Sequence, residues 1–227
     1  MTERFKRITA LLGEAAMEKL KNATVMVVGC GAVGSFAAEA LARSGVGHIV
    51  LVDFDVVEES NINRQIFALT STISAPKVVA AAARIRDINP DIQVVPLNVF
   101  FDANWNVDIQ PDFVIDAIDT VESTIALYRW CESHRIPFAA SMGAALKTDA
   151  SQIRVGHILK TSVCPLAARI RKIVREQQLP NFPVVYSTEV PKRSAASVGR
   201  VFGSIVTVTG SFGLRLADIA IKSIIEF

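Results

Sequence analysis

Asp53, Asp55, Asn61, Arg64, Gln65 and Lys77 stand in close succession after a Gly29-Cys30-Gly31-Ala32-Val33-Gly34 turn. A glycine turn between a strand and a helix lets backbone N–H groups and the helix N-terminus receive a diphosphate. Arg64 and Lys77 add something such a diphosphate does not need, namely cations just beyond the second strand. A triphosphate undergoing adenylyl transfer does need them, because charge builds on the phosphates as pyrophosphate leaves. The pattern points to ATP and away from a nicotinamide or flavin. Asp53 follows the turn by about 20 residues, the spacing at which an acidic side chain takes ribose hydroxyls.

The elements that must hold these residues are legible. Thr24 to Val28 is apolar and β-branched, and Ala32 to Arg43 is rich in Ala, so strand, turn and helix open a doubly wound sheet. We expect a helix over 8–20, a strand over 24–29, a helix over 33–44 and a strand over 48–53. A helix over 76–87, strands over 92–97 and 112–116, a helix over 121–134 and a strand over 137–141 follow. The fold class is α/β, a Rossmann-like, mostly parallel sheet with a C-terminal α/β extension. At 227 residues, with 51% hydrophobic, the chain suits one domain. Its nucleotide-binding half is about 1–143, and its substrate-binding and dimer-forming half about 144–227.

The run Asp53-Phe54-Asp55-Val56-Val57-Glu58-Glu59-Ser60-Asn61-Ile62-Asn63-Arg64-Gln65 resembles the signature of the ubiquitin-activating-type, ThiF-like adenylyltransferase superfamily. Pro76-Lys77 and Ile115-Asp116-Ala117-Ile118-Asp119 fall where that superfamily has its phosphate-binding lysine and metal-binding aspartate. The resemblance implies that Gly29, Gly31 and Gly34 border the nucleotide and that Asp53 holds its ribose. Asp55 belongs to the same cofactor-binding loop. It also implies that Asn61, Arg64 and Lys77 contact phosphates, that Gln65 supports their loop and that Asp119 binds Mg²⁺. An N-terminal arginine, Arg7 ahead of Arg4, is expected to act across the interface of a homodimer. Taken singly, Arg64 and Lys77 could be surface charges and Asp119 a helix cap.

Superfamily branches that adenylate small sulfur carriers usually hold zinc on two Cys-x-x-Cys pairs. Cys30, Cys131 and Cys164 are too few and too scattered for that site, so no structural zinc is expected. Ala139 to Ala144, Pro165 to Arg169 and Tyr186 to Glu189 are similar instead to the tRNA threonylcarbamoyladenosine dehydratases. That resemblance implies ATP-dependent cyclisation of the threonylcarbamoyl group on tRNA. The alternatives are an adenylyltransferase for a carrier protein and a non-catalytic ATP-binding protein, with a redox enzyme more remote. A sulfur-transfer partner and a monovalent cation stay open. Two positions depart from the dehydratases: Thr120 replaces Asn or Ser, and Cys164 an acidic residue. A packed thiol is the expectation at Cys164, with a covalent role as the alternative, while Cys30 and Cys131 read as packing residues.

Net charge is only +2, but its distribution is uneven. From Lys147 to Arg200 ten Lys or Arg face three Asp or Glu, an excess of seven that leaves −5 elsewhere. Arg169, Lys172 and Arg175 lie opposite Leu166, Ile170 and Val174 on an expected helix, and Lys192 and Arg193 flank it on an expected loop. A solvated helix face explains such a run taken alone; with the resemblance, these five are candidate tRNA contacts. No apolar segment is long enough to span a bilayer and no signal peptide is evident, so stable membrane insertion is not expected and a cytoplasmic location is.

Overall fold

A computed structural model describes residues 3–192 and 202–226. In chain order the main elements are α1 (Lys6–Leu12), α2 (Glu14–Asn22), β1 (Thr24–Val28), α3 (Gly34–Arg43), β2 (His48–Val52) and α4 (Lys77–Ile88). They continue through β3 (Gln93–Leu97), β4 (Phe113–Asp116), α5 (Val121–His134) and β5 (Phe138–Ser141). The remainder is β6 (Ile153–His157), α6 (Pro165–Glu176), β7 (Pro183–Ser187) and α7 (Val206–Ile225).

Seven strands form one sheet in the order β3-β2-β1-β4-β5-β7-β6, parallel throughout except where β6 meets β7. Alternate residues of each central strand serve opposite faces. Val25, Val27, Ile49, Leu51 and Ile115 pack with α3, α4 and α7, whereas Met26, Val28, Val50, Val52 and Val114 pack with α5 and α6. Both faces are apolar because both are covered, which explains why these strands read as continuous hydrophobic runs. The order reverses between β1 and β4, and connections there leave in opposite directions to open a crevice at the strands' carboxyl ends.

The expected α/β class and strand positions hold to within a residue at most ends. One expectation fails: 8–20 is not a single helix. Gly13 adopts φ +85° and ψ 164°, outside the helical region, so the segment splits into α1 and α2. The basic helix also faces differently from expectation. Ala167, Ile170 and Val174 form its buried stripe, while Leu166 is only half buried and turns to the crevice.

α7 crosses α3 closely enough that a Cβ on Gly213 would lie 2.3 Å from the Val33 carbonyl oxygen and 2.8 Å from Phe36 Cβ. Backbone cannot yield as a flexible side chain would. Gly213→Ala is therefore expected to destabilise the protein by about 1–3 kcal/mol, read as a lower urea midpoint with an unchanged slope. An unaltered midpoint would show that the two helices can part without loss.

Candidate nucleotide and acyl-transfer site

A cleft of ≈ 700 Å³ lies over the carboxyl ends of β1, β2, β4 and β5. Gly29, Gly31, Asp53, Asp55, Asn61, Arg64, Gln65, Lys77 and Asp119 all line it, so the structure gathers nearly every nucleotide residue proposed from sequence. Gly34 sits just behind. A Cβ there would lie 1.7 Å from the Gly29 oxygen, which is why the turn can be so tight. Arg7 is exposed and does not line the cleft of its own chain. Arg4 points to Asn89, at the end of α4 remote from Lys77.

Asp53 is only 9% exposed and accepts two backbone hydrogen bonds, from Cys30 N–H at 2.6 Å and Asp55 N–H at 2.8 Å. It therefore clamps the glycine turn to the end of β2 while its remaining lone pairs face the cleft. Lys77, 7% exposed, pairs with Asp55 at 2.6 Å. Its backbone N–H also reaches the Asp55 carbonyl, so the loop and the start of α4 move as one. Asn61 accepts from Glu58 N–H at 3.1 Å and so holds the single helical turn Glu59–Asn61. Arg64 donates to the Ser60 carbonyl at 2.7 Å and Asn63 Oδ1 at 2.8 Å. Among the described residues it pairs with no carboxylate, which leaves its charge uncompensated beside the cleft. Gln65 is buried, and its amide lies 3.9 Å from where a Gly31 Cβ would stand.

The helix after β4 starts at Thr120, whose side chain makes no capping bond, and Asp119 is exposed at the cleft instead of capping it. No group of three or more His, Cys, Asp or Glu side chains able to hold a metal occurs among the described residues. A lone carboxylate suits Mg²⁺, which takes one or two protein ligands and completes its shell with water and phosphate oxygens.

Sequence reasoning missed Asp116. It is fully buried at the end of β4, with Oδ1 accepting from Ile118 N–H at 2.9 Å and Oδ2 lacking any partner. Burial pushes its carboxyl up to about 7, against the pull of the Ile118 N–H and the nearby Thr124 hydroxyl and with help from Asp119. The available signal was an acidic residue closing an otherwise apolar, doubly buried strand. Lys147, also missed, is buried beneath the Gly143–Ala145 turn that forms another wall of the cleft.

The candidate tRNA residues are more dispersed. Arg169 and Lys172 are exposed and make long contacts with Glu122 (3.9 Å) and Glu176 (3.7 Å), of the kind worth little in stability. Arg175 and Lys192 are exposed as well, and Arg193 lies outside the described residues. Arg171 on the same helix is committed to the Thr161 carbonyl and hydroxyl at 2.8 and 2.7 Å. Cys164 is the residue before α6, buried and absent from the cleft lining; Cys30 and Cys131 are buried too, which raises both thiols.

The ThiF family profile matches residues 5–227. The chain is 45% identical over 195 residues to a tRNA threonylcarbamoyladenosine dehydratase of Bacillus subtilis, covering 84% of this chain and 77% of that protein. It is 35% identical over 250 residues to the Escherichia coli protein of the same name, covering 97% and 92%. A solved structure of the E. coli dehydratase in complex with ATP superposes with a TM-score of 0.91 at 36% identity, covering 99% of this chain and 94% of that one.

Asp116 generates a pH-dependent prediction. Its raised carboxyl stabilises the fold only in the neutral form, so that contribution is present at low pH and is lost as pH rises towards about 7. Asp116→Asn keeps the Ile118 bond and removes the ionisation. In nucleotide-free protein the variant is expected to gain about 2 kcal/mol on wild type between about pH 5.5 and pH 8. Parallel urea-stability profiles over that range would refute the shift.

Proposed function

The chain belongs to the ThiF family, and we propose that within it this protein is an ATP-dependent tRNA threonylcarbamoyladenosine dehydratase. The observation that carries the reading is the convergence of Asp53, Arg64, Lys77 and Asp119 on one cleft, together with near full-length similarity to dehydratases on both sequence and fold.

A carboxylate resists attack because its leaving group would be oxide. In the proposed sequence the threonine carboxylate oxygen attacks the α-phosphorus of ATP, pyrophosphate departs, and an acyl-adenylate forms. A nitrogen or oxygen of the carbamoyl group then attacks the acyl carbon and expels AMP, losing its proton as the ring closes. The oxygen removed from the nucleoside leaves in AMP, so the net change is loss of water. The substrate supplies the nucleophile, and the protein's task is positioning and charge stabilisation. Asp53 orients the ribose, Asn61 and Gln65 hold the loop, and Arg64 and Lys77 meet the charge on the phosphates. Mg²⁺ held by Asp119, when bound, offsets phosphate charge as a Lewis acid.

Arg7 completes the site of a second copy in a homodimer. Support comes from its absence from its own cleft and from exposed apolar side chains such as Leu69, Ile73 and Val206. tRNA lies along Arg169, Lys172, Arg175, Lys192 and Arg193, the part of the chain that carries the positive excess. Among the described residues no helix is long and apolar enough to cross a membrane. The three free thiols suit a reducing, cytoplasmic setting.

The direct test incubates threonylcarbamoyl-modified tRNA with the protein and Mg-ATP, then digests it and weighs the nucleoside. Loss of one water that requires ATP is expected, and Lys77→Ala should lower the rate about 10²–10³-fold. An unchanged nucleoside beside intact ATP binding would move the substrate to another carboxylate, such as a carrier-protein C-terminus. The RNA surface is tested separately. Reversing the charge of Arg169, Lys172 and Arg175 together should weaken tRNA binding about tenfold or more at moderate salt and leave ATP affinity alone. An equal fall in ATP affinity would return that helix to the nucleotide site or the fold.

A further inference from the structure

Lys147 is a buried ammonium that the mechanism above does not use. It is 3% exposed and makes no ion pair among the described residues. Its Nζ donates to the Gly143 carbonyl at 2.7 Å and the Ala145 carbonyl at 3.3 Å. Burial pushes its pKa down, while Cys164 and Glu189 nearby favour the charged form. The segment around it is over-determined. Leu146 takes a left-handed backbone (φ +61°), its N–H donates to the Gly203 carbonyl at 2.8 Å, and its carbonyl accepts from Lys192 N–H at 2.9 Å. Glu189, also buried, accepts from the N–H groups of Thr148 and Asp149.

The consequence lies in the peptide that joins Gly143 to Ala144. In a trans peptide the N–H and C=O point in opposite directions. Drawing the Gly143 oxygen inward to Lys147 therefore turns the Ala144 N–H outward. The neighbouring peptide behaves in this way: the Ala145 oxygen turns to Lys147, and the Leu146 N–H on its far side finds Gly203. The Ala144 N–H has no such acceptor among the described residues, although Ala144 is buried and Gly143, Ala144 and Ala145 line the cleft. An N–H at a cleft wall with no acceptor among the described residues is a donor open to an oxygen of whatever occupies the cleft.

We propose that the Ala144 N–H is a catalytic donor to the acyl oxygen of the substrate carboxylate, and that Lys147 is the positioning residue that aims it. The proposal rests on the dehydratase reading and deepens it. As the carbamoyl group attacks the acyl-adenylate, negative charge moves to the acyl oxygen, and a fixed donor there stabilises the transition state more than the ground state. Lys147 acts through the backbone and touches no reacting atom.

The test replaces Ala144 by its α-hydroxy acid, which changes one amide into an ester and removes only the N–H. In the mass-based tRNA assay kcat is expected to fall about 10²–10³-fold, with ATP affinity and thermal midpoint near those of the unsubstituted protein. Turnover within about threefold of it would overturn the donor role. A matching loss of ATP affinity would give the N–H to a phosphate instead and overturn the acyl assignment. Lys147→Met fills the same space without a donor and should reproduce the kcat loss at unchanged ATP affinity. Lys147→Gln keeps N–H donors for the carbonyls and should recover most of the rate. Equal rates for Met and Gln would overturn the positioning role. The unsubstituted protein is the control on the underlying reading: if it leaves the nucleoside unchanged, that reading fails and this inference with it.

Discussion

Asp53 ties the nucleotide half together. Its two carboxylate oxygens take the Cys30 and Asp55 N–H groups, joining the turn after β1 to the loop after β2. From Asp55 the connection passes to Lys77 through side chain and backbone, and so to α4. Three segments distant in sequence thus share one hydrogen-bonded junction at the point where strand order reverses. Asp53 and Lys77 are buried, so leaving the polar groups of either unpaired would cost on the order of 1–3 kcal/mol. The residues proposed to meet phosphates are thus tied to the ends of the sheet strands.

Charge around this junction is set out unequally. Lys77 arrives already compensated by Asp55, whereas Arg64 has only neutral acceptors and Asp119 makes no capping bond. In the proposed function an incoming triphosphate would compete with Asp55 for Lys77, meet Arg64 without displacing a carboxylate, and bring charge that a metal held by Asp119 would offset. Asp116, directly below, is held towards its neutral form by burial. Burial is the larger cause, and the nearby Asp119 charge adds to it. Of the two carboxylates, Asp119 is the one exposed at the cleft.

The parts of this site that were legible in the sequence are those in which chemistry and chain order coincide. The glycine turn, Asp53, Arg64 and Lys77 lie on consecutive loops at the same ends of consecutive strands, so their spacing already carries their placement. Residues whose role depends on distant packing were not legible. Asp116 is one position along an apolar strand, and only the covering of both sheet faces makes its carboxyl unusual. Lys147 reads as one more cation in a basic half; its burial sets it beneath the Gly143–Ala145 turn, with Cys164 and Glu189 nearby. Leu166 and Arg171 fit a simple amphipathic pattern, yet one turns to the cleft and the other ties down Thr161. At Gly13 the backbone of a single residue overrides a helical periodicity that neighbouring residues support.

A buried lysine without a paired carboxylate is expensive, and its retention calls for a physical reason. Desolvation counts against it, although an apolar side chain of the same length would leave the Gly143 and Ala145 carbonyls without this donor. What a donor at the end of this side chain does is hold two carbonyls of one short turn to the same side. That fixes the peptide planes of Gly143 to Leu146, one N–H satisfied by Gly203 and the other left at the cleft. The left-handed backbone at Leu146 and the donors gathered by Glu189 serve the same end by preventing the turn from relaxing. The first half of the chain makes a triphosphate site that many adenylating chemistries could share. In the proposed function, specialisation for an acyl group would fall to another wall of the cleft, the Gly143–Ala145 turn that Lys147 holds.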